Sequence, residues 1–203
     1  MFGDPVTNPM NWKVVQLGDV LNLITYGLTR RPKYHDKGIS LVSAREIRQG
    51  FVDYESAPRI SLDDFQNLSE KGKPARGDIL FSKTGTIGHC AEVKTNELFA
   101  ITQNAARLSF NQDILKNPFT IAYLRSYYFQ DLANRSAKGN AVRDLQLGVM
   151  KRFPIYVPPL MLQKEFADTV NQIELVKRKY ISTLTKNENL FHSLQQRAFK
   201  GEL

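Results

Sequence analysis

The sequence has few of the residues that build disulfide frameworks or metal sites. It contains one cysteine, Cys90, and three histidines, His35, His89 and His192. A single cysteine excludes an internal disulfide framework and is typical of a protein in a reducing cytoplasm, which is the localisation we expect. The isolated histidines and the lone cysteine do not have the spacing of a zinc site, so we expect no bound metal.

The sequence also lacks the motifs of nucleotide-binding and membrane-spanning proteins. Gly85 and Gly88 lie in a turn without the Gly-Lys-Ser/Thr ending of a Walker-type phosphate loop. No glycine-rich turn offers a site for S-adenosylmethionine, and Asn117-Pro118-Phe119 has only part of the Asn-Pro-Pro-aromatic loop of adenine methyltransferases. No apolar run is long enough to span a bilayer, and the first residues do not resemble a signal peptide. We therefore expect no cofactor on this chain and no membrane partner.

Negative charge is scarce relative to positive charge. Lys and Arg number 28 and Asp and Glu number 20, which gives a net charge of +8 at pH 7 and a pI near 9.6. Polyanions are the natural partners of such a chain, and nucleic acid is the first of them. The hydrophobic fraction of 42% and the length of 203 residues allow one full domain and one additional long helix.

The C-terminal part contains a long stretch without glycine or proline. It runs from Gln163 to Lys200, after Pro158-Pro159 and before Gly201, which is the usual punctuation of helix ends. An unbroken helix of this length would extend roughly 57 Å. Its apolar residues recur near a seven-residue spacing, which is typical of a helix that pairs with another helix. The residues that we assign to the pairing face are Ile173, Val176, Tyr180, Leu184, Asn187, Leu190 and Leu194.

Asn187 is the polar member of this pairing face. A polar residue at such a position lowers stability but fixes the register if it meets a partner asparagine. The same residue is equally compatible with a solvated position near the middle of the stripe. The chain contains no second helical pattern of similar length, so we expect the partner helix to come from another subunit.

The part of the chain before the long helix is typical of the α+β class. Apolar runs bounded by turn residues predict strands at 39–42, 78–82, 89–93, 99–102, 105–110 and 153–157. Helices are predicted at 17–23, at 61–68, over one continuous stretch capped by Asn117, and at 144–151. We therefore predict one mixed α/β domain over residues 1–157, followed by a long helix within residues 158–203.

Basic side chains recur in the predicted loops of this domain. Arg and Lys contact phosphates, whereas Arg also reads guanine, and Asn or Gln reads adenine. Each residue alone is compatible with a solvated surface charge, but loops that converge on one face would form a DNA-reading surface. The candidates for DNA contact are Arg30, Arg31, Lys33, Arg45, Arg48, Lys83, Thr84, Lys138, Asn140 and Arg143.

Asp78, Glu92 and Lys94 support a competing hypothesis. Metal-dependent nucleases place an Asp and a Glu on a shared Mg²⁺, and a Lys orients the attacking water. Such sets also arise often by chance, and Gly77-Asp78 is an ordinary turn before a strand. A third hypothesis is an adaptor that makes only protein contacts, with loops that bind no DNA.

Five segments, taken in chain order, resemble the specificity subunit of type I restriction–modification systems. The resemblance spans nearly the whole chain, although each segment alone is short. The segments are 11–20 (NWKVVQLGDV), 38–50 (GISLVSAREIRQG), 77–82 (GDILFS) with 84–88 (TGTIG), 153–160 (FPIYVPPL) with Gln163, and 194–203 (LQQRAFKGEL).

The resemblance implies a target-recognition domain over residues 1–157 that reads one half of a bipartite site in double-stranded DNA. It implies that the helix sets the half-site spacing and docks methyltransferase (M) subunits, in a complex that also holds a restriction (R) subunit. The specificity subunit itself is not an enzyme, so S-adenosylmethionine, ATP and Mg²⁺ are expected on the partner subunits. The family has no fixed motif for DNA contacts, so our candidates rest on charge and loop position.

The chain departs from the family pattern in having one recognition unit. Members of the family normally carry two units in tandem, with their long helices paired antiparallel. The chain is thus either a naturally halved subunit or one half of a longer gene product. In both cases we expect two copies to form a homodimer through an antiparallel coiled coil of the C-terminal helices.

Overall fold

The computed structural model describes residues 1–30 and 32–202. The chain divides into two compact units, Met1–Gln163 and Lys164–Leu203. The assignment of DNA recognition to residues 1–157 and of spacing to residues 158–203 stays a prediction.

The described residues form nine β-strands and five α-helices. The strands are β1 Lys13–Gln16, β2 Leu21–Tyr26, β3 Ile39–Val42, β4 Arg59–Ile60, β5 Ile79–Ser82, β6 Cys90–Glu92, β7 Phe99–Ile101, β8 Ala105–Phe110 and β9 Pro154–Val157. The helices are α1 Leu62–Gln66, α2 Asn117–Arg125, α3 Tyr127–Ser136, α4 Leu147–Met150 and α5 Leu160–Phe199. This mixture of strands and helices, with a long C-terminal helix, confirms the predicted fold class.

The strands of the first unit form three sheets. Four antiparallel strands follow the order β2-β8-β5-β6, and three strands follow the order β4-β3-β7, in which β3 and β7 are parallel. The third sheet is the antiparallel pair of β1 and β9. Leu80 of β5 belongs to the same buried cluster as Val42 of β3 and Ile101 of β7, so the two larger sheets share a core.

The strand registers bring several loops to one edge of these sheets. Ser82 at the end of β5 and Tyr26 at the end of β2 pair with Ala105 and Ala106 at the start of β8. The parallel strands β3 and β7 end side by side, and the turn 102–104 joins β7 to β8. The loops that follow β2, β3, β5 and β7 therefore lie at a common edge, which we call the loop edge.

The predicted helix at 17–23 is wrong. The chain there forms β1, then one turn of 3₁₀ helix over Leu17–Val20, and then strand β2. Leu17 and Val20 are buried as the helical pattern required, but pairing with β8 makes the following residues extended. Strand β1 was not predicted either, and it pairs with β9.

The continuous helix predicted after residue 117 is two helices. Ser126 has an extended backbone, ends α2, and accepts a hydrogen bond on its Oγ from Phe129 N at 3.3 Å as the N-cap of α3. The predicted cap at Asn117 is also wrong, because Lys116 is the N-cap and Asn117 is the first helical residue. The Asn117 amide donates instead to Gly77 O and to Glu92 Oε1, at 2.7 Å each.

The second unit consists of helix α5 beyond its first turn. The predicted long helix is confirmed, and it begins at Leu160, three residues before the predicted start. The apolar side chains assigned to the pairing face are exposed, from Leu194 at 40% to Tyr180 at 74%. Within the described ranges, no helix is both long and apolar enough to cross a membrane.

Candidate nucleic-acid interface

Asp144 joins two of the candidate DNA-binding loops. Its carboxylate accepts hydrogen bonds from Lys83 Nζ and Thr84 Oγ1, in the loop that follows β5. The backbones of the two loops are also bonded, since Gly85 N donates to Arg143 O at 2.9 Å. The loop after β5 and the loop before α4 therefore form one connected surface at the loop edge.

The ammonium group of Lys83 is neutralised inside this junction. Burial by itself would raise the pKa of Asp144, but hydrogen bonds from Lys83 and Thr84 and the charge of Lys83 lower that pKa below its ordinary value. Lys83 is only 8% exposed, and its Nζ lies 5.7 Å from the centroid of the Tyr26 ring. Its observed contacts thus hold the two loops together, and phosphate binding by Lys83 and Thr84 stays a prediction.

Lys138, Asn140 and Arg143 lie exposed on the loop before α4. Lys138 and Asp144 exchange backbone hydrogen bonds of 3.0 and 2.8 Å, which close the loop 139–143. Gly139 in that loop has φ +115°, a conformation that favours glycine. Lys138 and Asn140 are exposed there and are accessible to a ligand.

Arg30 and Lys33 lie exposed on the loop that follows β2. That loop is tied to the end of β7, because Leu28 N donates to Ile101 O at 2.9 Å. Gly27 permits this approach, since a Cβ on Gly27 would lie 1.7 Å from Ile101 O. Arg31, the third candidate of this loop, lies outside the described residues.

Arg45 and Arg48 lie exposed on the turn that follows β3. Arg48 N donates to Phe51 O at 3.0 Å, which closes a small hairpin. The hairpin is attached to the sheet, since His89 Nδ1 and Ile47 O are 3.1 Å apart. The two arginines are therefore held at the loop edge by a structured turn.

The structure groups the candidates in two ways. Direct contacts join four of them within the junction around Asp144, namely Lys83, Thr84, Lys138 and Arg143. The ends of β2 and β3 place four others on neighbouring loops of the same edge, namely Arg30, Lys33, Arg45 and Arg48.

Four residues that the search for basic side chains missed line an open pocket at this edge. Lys83 and Thr84 complete the lining. The pocket carries two amides, one phenol and one carboxylate, all of them groups that form hydrogen bonds with base edges. In the sequence, the signal that could have found them is the pair of amide residues in the turn between two apolar strands. The missed residues are Tyr26, Gln103, Asn104 and Asp144.

The residues of the nuclease hypothesis are engaged in structural contacts. Asp78 is 4% exposed, and its Oδ2 accepts from Arg107 Nε at 2.6 Å. Glu92 accepts from the Asn117 amide, and Lys94 is exposed in the turn after β6, at the edge opposite the loop edge. Among the residues that the structure describes, no group of three His, Cys, Asp or Glu side chains is placed to hold a metal ion.

Comparison with known families decides the class of protein. The family model described as the type I restriction modification DNA specificity domain matches residues 9–190. The chain belongs to this family. The resemblance seen in the five sequence segments is thereby confirmed, and the match gives no support to the nuclease hypothesis.

Among curated relatives, the type I restriction enzyme EcoBI specificity subunit of Escherichia coli is 27% identical to this chain over 203 aligned residues. The alignment covers 96% of this chain but 42% of the relative. The chain therefore spans less than half the length of that protein.

Solved structures agree on the fold. A chain from a structure of the assembly and conformational transition of a type I R-M system aligns with a TM-score of 0.64 at 20% identity, over 100% of this chain and 49% of that one. The HsdS subunit from Thermoanaerobacter tengcongensis aligns with a TM-score of 0.59 at 20% identity, over 96% of this chain and 46% of that one. The described fold is thus shared with both of these solved chains.

Proposed function

We propose that the first unit binds double-stranded DNA through the loop edge and reads one half of a bipartite target. The observation that carries this proposal is the convergence of the basic loops at a single edge, in a chain of the DNA specificity family. In this proposal the chain acts as a non-catalytic specificity subunit. Methyltransferase and restriction subunits supply the chemistry, with S-adenosylmethionine, ATP and Mg²⁺ bound to them.

The proposed mechanism is positioning. Exposed basic side chains on both sides of the pocket contact phosphates, which fixes the orientation of the duplex but carries no sequence information. Side chains nearer the pocket then contact base edges, which supplies the choice of sequence. The basic side chains assigned to phosphates are Arg30, Lys33, Arg45, Arg48, Lys138 and Arg143.

The exposed face of α5 supports a second part of the proposal, pairing of two copies. Ile173 and Leu190 are 52% and 59% exposed and lie on the heptad-spaced stripe. Forty helical residues extend about 60 Å, which exceeds the ~34 Å helical turn of B-DNA. An antiparallel homodimer through these helices would therefore hold two recognition units more than one turn apart, on an inverted repeat.

Selection of duplexes from a random-sequence library tests the DNA-binding proposal. We expect the chain, alone or with a methyltransferase subunit, to enrich one short sequence. The logarithm of affinity should fall linearly with the logarithm of salt concentration, with a slope of about −0.9 per phosphate contacted. Recovery of no sequence would refute DNA reading and favour the adaptor hypothesis. A salt-independent affinity would show that the basic loops are not the contact surface.

Light scattering tests the pairing proposal. The double variant Ile173→Glu/Leu190→Glu should be monomeric at concentrations where the parent chain is dimeric, because each of the two chains places two negative charges in the apolar seam between them. Arg178→Glu is the matched control, since Arg178 lies outside the stripe and should leave the dimer intact. A dimeric double variant, or a monomeric parent chain at all concentrations, would contradict pairing through α5.

A further inference from the structure

We propose that Gln103 and Asn104 are specificity-determining residues that each read an adenine in the target, an inference that rests on the proposed DNA-binding function. The two residues occupy the turn between β7 and β8. They were not among the basic candidates, and they lie between the loop that carries Arg30 and the loop that carries Lys138.

The backbone of this turn is fixed by its neighbours. Gln103 N donates to Leu28 O at 2.8 Å, which ties the turn to the loop after β2. Asn104 O accepts from Lys83 N at 3.1 Å, which ties it to the loop after β5. A turn held from both sides presents its side chains at a defined position, which base readout requires.

The side-chain amides of Gln103 and Asn104 have no hydrogen-bond partner among the residues that the structure describes. The Gln103 side chain is exposed. The buried amides of Asn117 and Gln163 behave differently, since each makes at least three hydrogen bonds. The donors and acceptors of Gln103 and Asn104 thus remain available to a ligand.

The surroundings of the two amides favour base contacts over phosphate contacts. Asp144 neutralises Lys83, the cation that lines the same pocket. The Tyr26 ring, 45% exposed, adds an apolar wall. A carboxamide pairs with adenine through two hydrogen bonds, since its oxygen accepts from N6 and its nitrogen donates to N7. The exposed Arg30 and Lys138 on either side supply the phosphate contacts that align such a pair.

The test measures base preference in variants of the full chain. Duplexes selected by the parent chain define the preferred sequence, and each position is then changed singly. For Gln103→Ala and for Asn104→Ala, we expect each variant to lose discrimination at its own A·T pair by about 5- to 140-fold, the range expected for a bidentate base contact. The slope of affinity against salt should not change, because no phosphate contact is lost.

Three further variants separate base readout from other causes. Gln103→Glu and Asn104→Asp preserve side-chain size but remove the donor, so they should lose the adenine preference and gain affinity for cytosine, whose N4 donates. Asn96→Ala is the matched control, because Asn96 is an exposed asparagine at the opposite edge, in the turn between β6 and β7. It should leave both preference and affinity unchanged.

The outcomes distinguish this inference from the function on which it rests. A parent chain that selects a sequence, with variants at Gln103 and Asn104 that retain the full preference at every position, would overturn the adenine assignment and leave DNA recognition in place. Variants that weaken all duplexes equally and reduce the salt slope would overturn it as well, by showing phosphate contact. A parent chain that selects no sequence would overturn both.

Discussion

Gln163 allows the sharpest prediction about stability. Its side chain is fully buried within the first unit and makes three hydrogen bonds. Gln163 Oε1 accepts from Lys116 N at 2.8 Å, and Nε2 donates to Ile114 O at 3.0 Å and to Pro158 O at 2.7 Å. One side chain thus connects the first turn of α5 to the residues before α2. Replacing it with alanine removes all three bonds and leaves three backbone groups to be satisfied otherwise.

The magnitude follows from these contacts. Each hydrogen bond contributes about 0.5–1.5 kcal/mol, so three bonds contribute about 1.5–4.5 kcal/mol. Because the site is buried, the orphaned groups are poorly solvated, and we expect Gln163→Ala to lower the free energy of unfolding by about 3 kcal/mol. Gln163→Glu keeps the acceptor for Lys116 N but directs a carboxylate at two carbonyl oxygens.

The Gln163→Glu variant should therefore depend on pH. Burial and the two carbonyls raise the pKa of the new carboxyl in the folded state above the ordinary value near 4.3. The variant should keep most of its stability below that value and lose stability as the pH rises through the folded-state pKa.

Urea unfolding followed by the fluorescence of Trp12 is the assay, because Trp12 is the single tryptophan and lies in the first unit. Gln49→Ala is the matched control, since Gln49 is exposed and should change the free energy of unfolding by less than about 0.5 kcal/mol. A Gln163→Ala variant within about 1 kcal/mol of the parent would refute the role assigned to these three bonds.

Three other predictions use the same unfolding assay. Asp78→Ala should lower the free energy of unfolding by about 3–5 kcal/mol, because it removes the buried carboxylate that pairs with Arg107. A decrease below about 1 kcal/mol would contradict a stabilising role for this ion pair. Tyr123→Phe should lower the free energy of unfolding by about 1 kcal/mol, because it removes the 2.8 Å hydrogen bond from Tyr123 Oη to Pro154 O. Tyr54→Phe should leave the free energy of unfolding unchanged, because the buried Tyr54 Oη has no hydrogen-bond partner in the described chain. Burial raises the pKa of Tyr54 from 10.0 to about 12, so the parent should lose stability as the pH rises from 10 to 12, and Tyr54→Phe should lose less. Equal losses in the two proteins would contradict this.

Local patterns were sufficient for several elements of the fold. Strands β3 and β8 have the predicted bounds, because short apolar runs between turn residues have few alternatives. Helix α5 was predictable from its length without glycine or proline. The sequence at the start of the helix predicted at 61–68 resembles a capping box, and Ser61 is the N-cap of α1, since its Oγ accepts from Asp64 N at 3.0 Å.

Other elements depend on contacts that are distant in sequence. Leu17, Val20, Leu21 and Ile24 fit a helix, but Leu21–Tyr26 pairs with β8, at least 80 residues later, and becomes a strand. Tertiary pairing therefore decided the conformation of residues 21–26. The break at Ser126 is marked instead by a local contact, since Ser126 Oγ caps α3, but serine within a helical pattern does not by itself predict an end.

The candidate site was predictable in its charges but not in its connections. The basic candidates could be listed because charge and loop position are visible in the sequence. The strand registers then place their loops at one edge. The pairing of Lys83 with Asp144 was not visible, since the two residues are 61 positions apart. Gln103 and Asn104 gave a weak signal because they are uncharged, and only the strand order places them among the basic loops.

Hydrogen exchange of the chain with and without a selected duplex tests the central claim most directly. The claim is that the loop edge binds DNA. We predict slower exchange on binding in the loops after β2, β3, β5 and β7 and in the loop before α4, with no change in the turn 93–98 at the opposite edge. Protection of the turn 93–98, with unchanged exchange at the loop edge, would contradict the account.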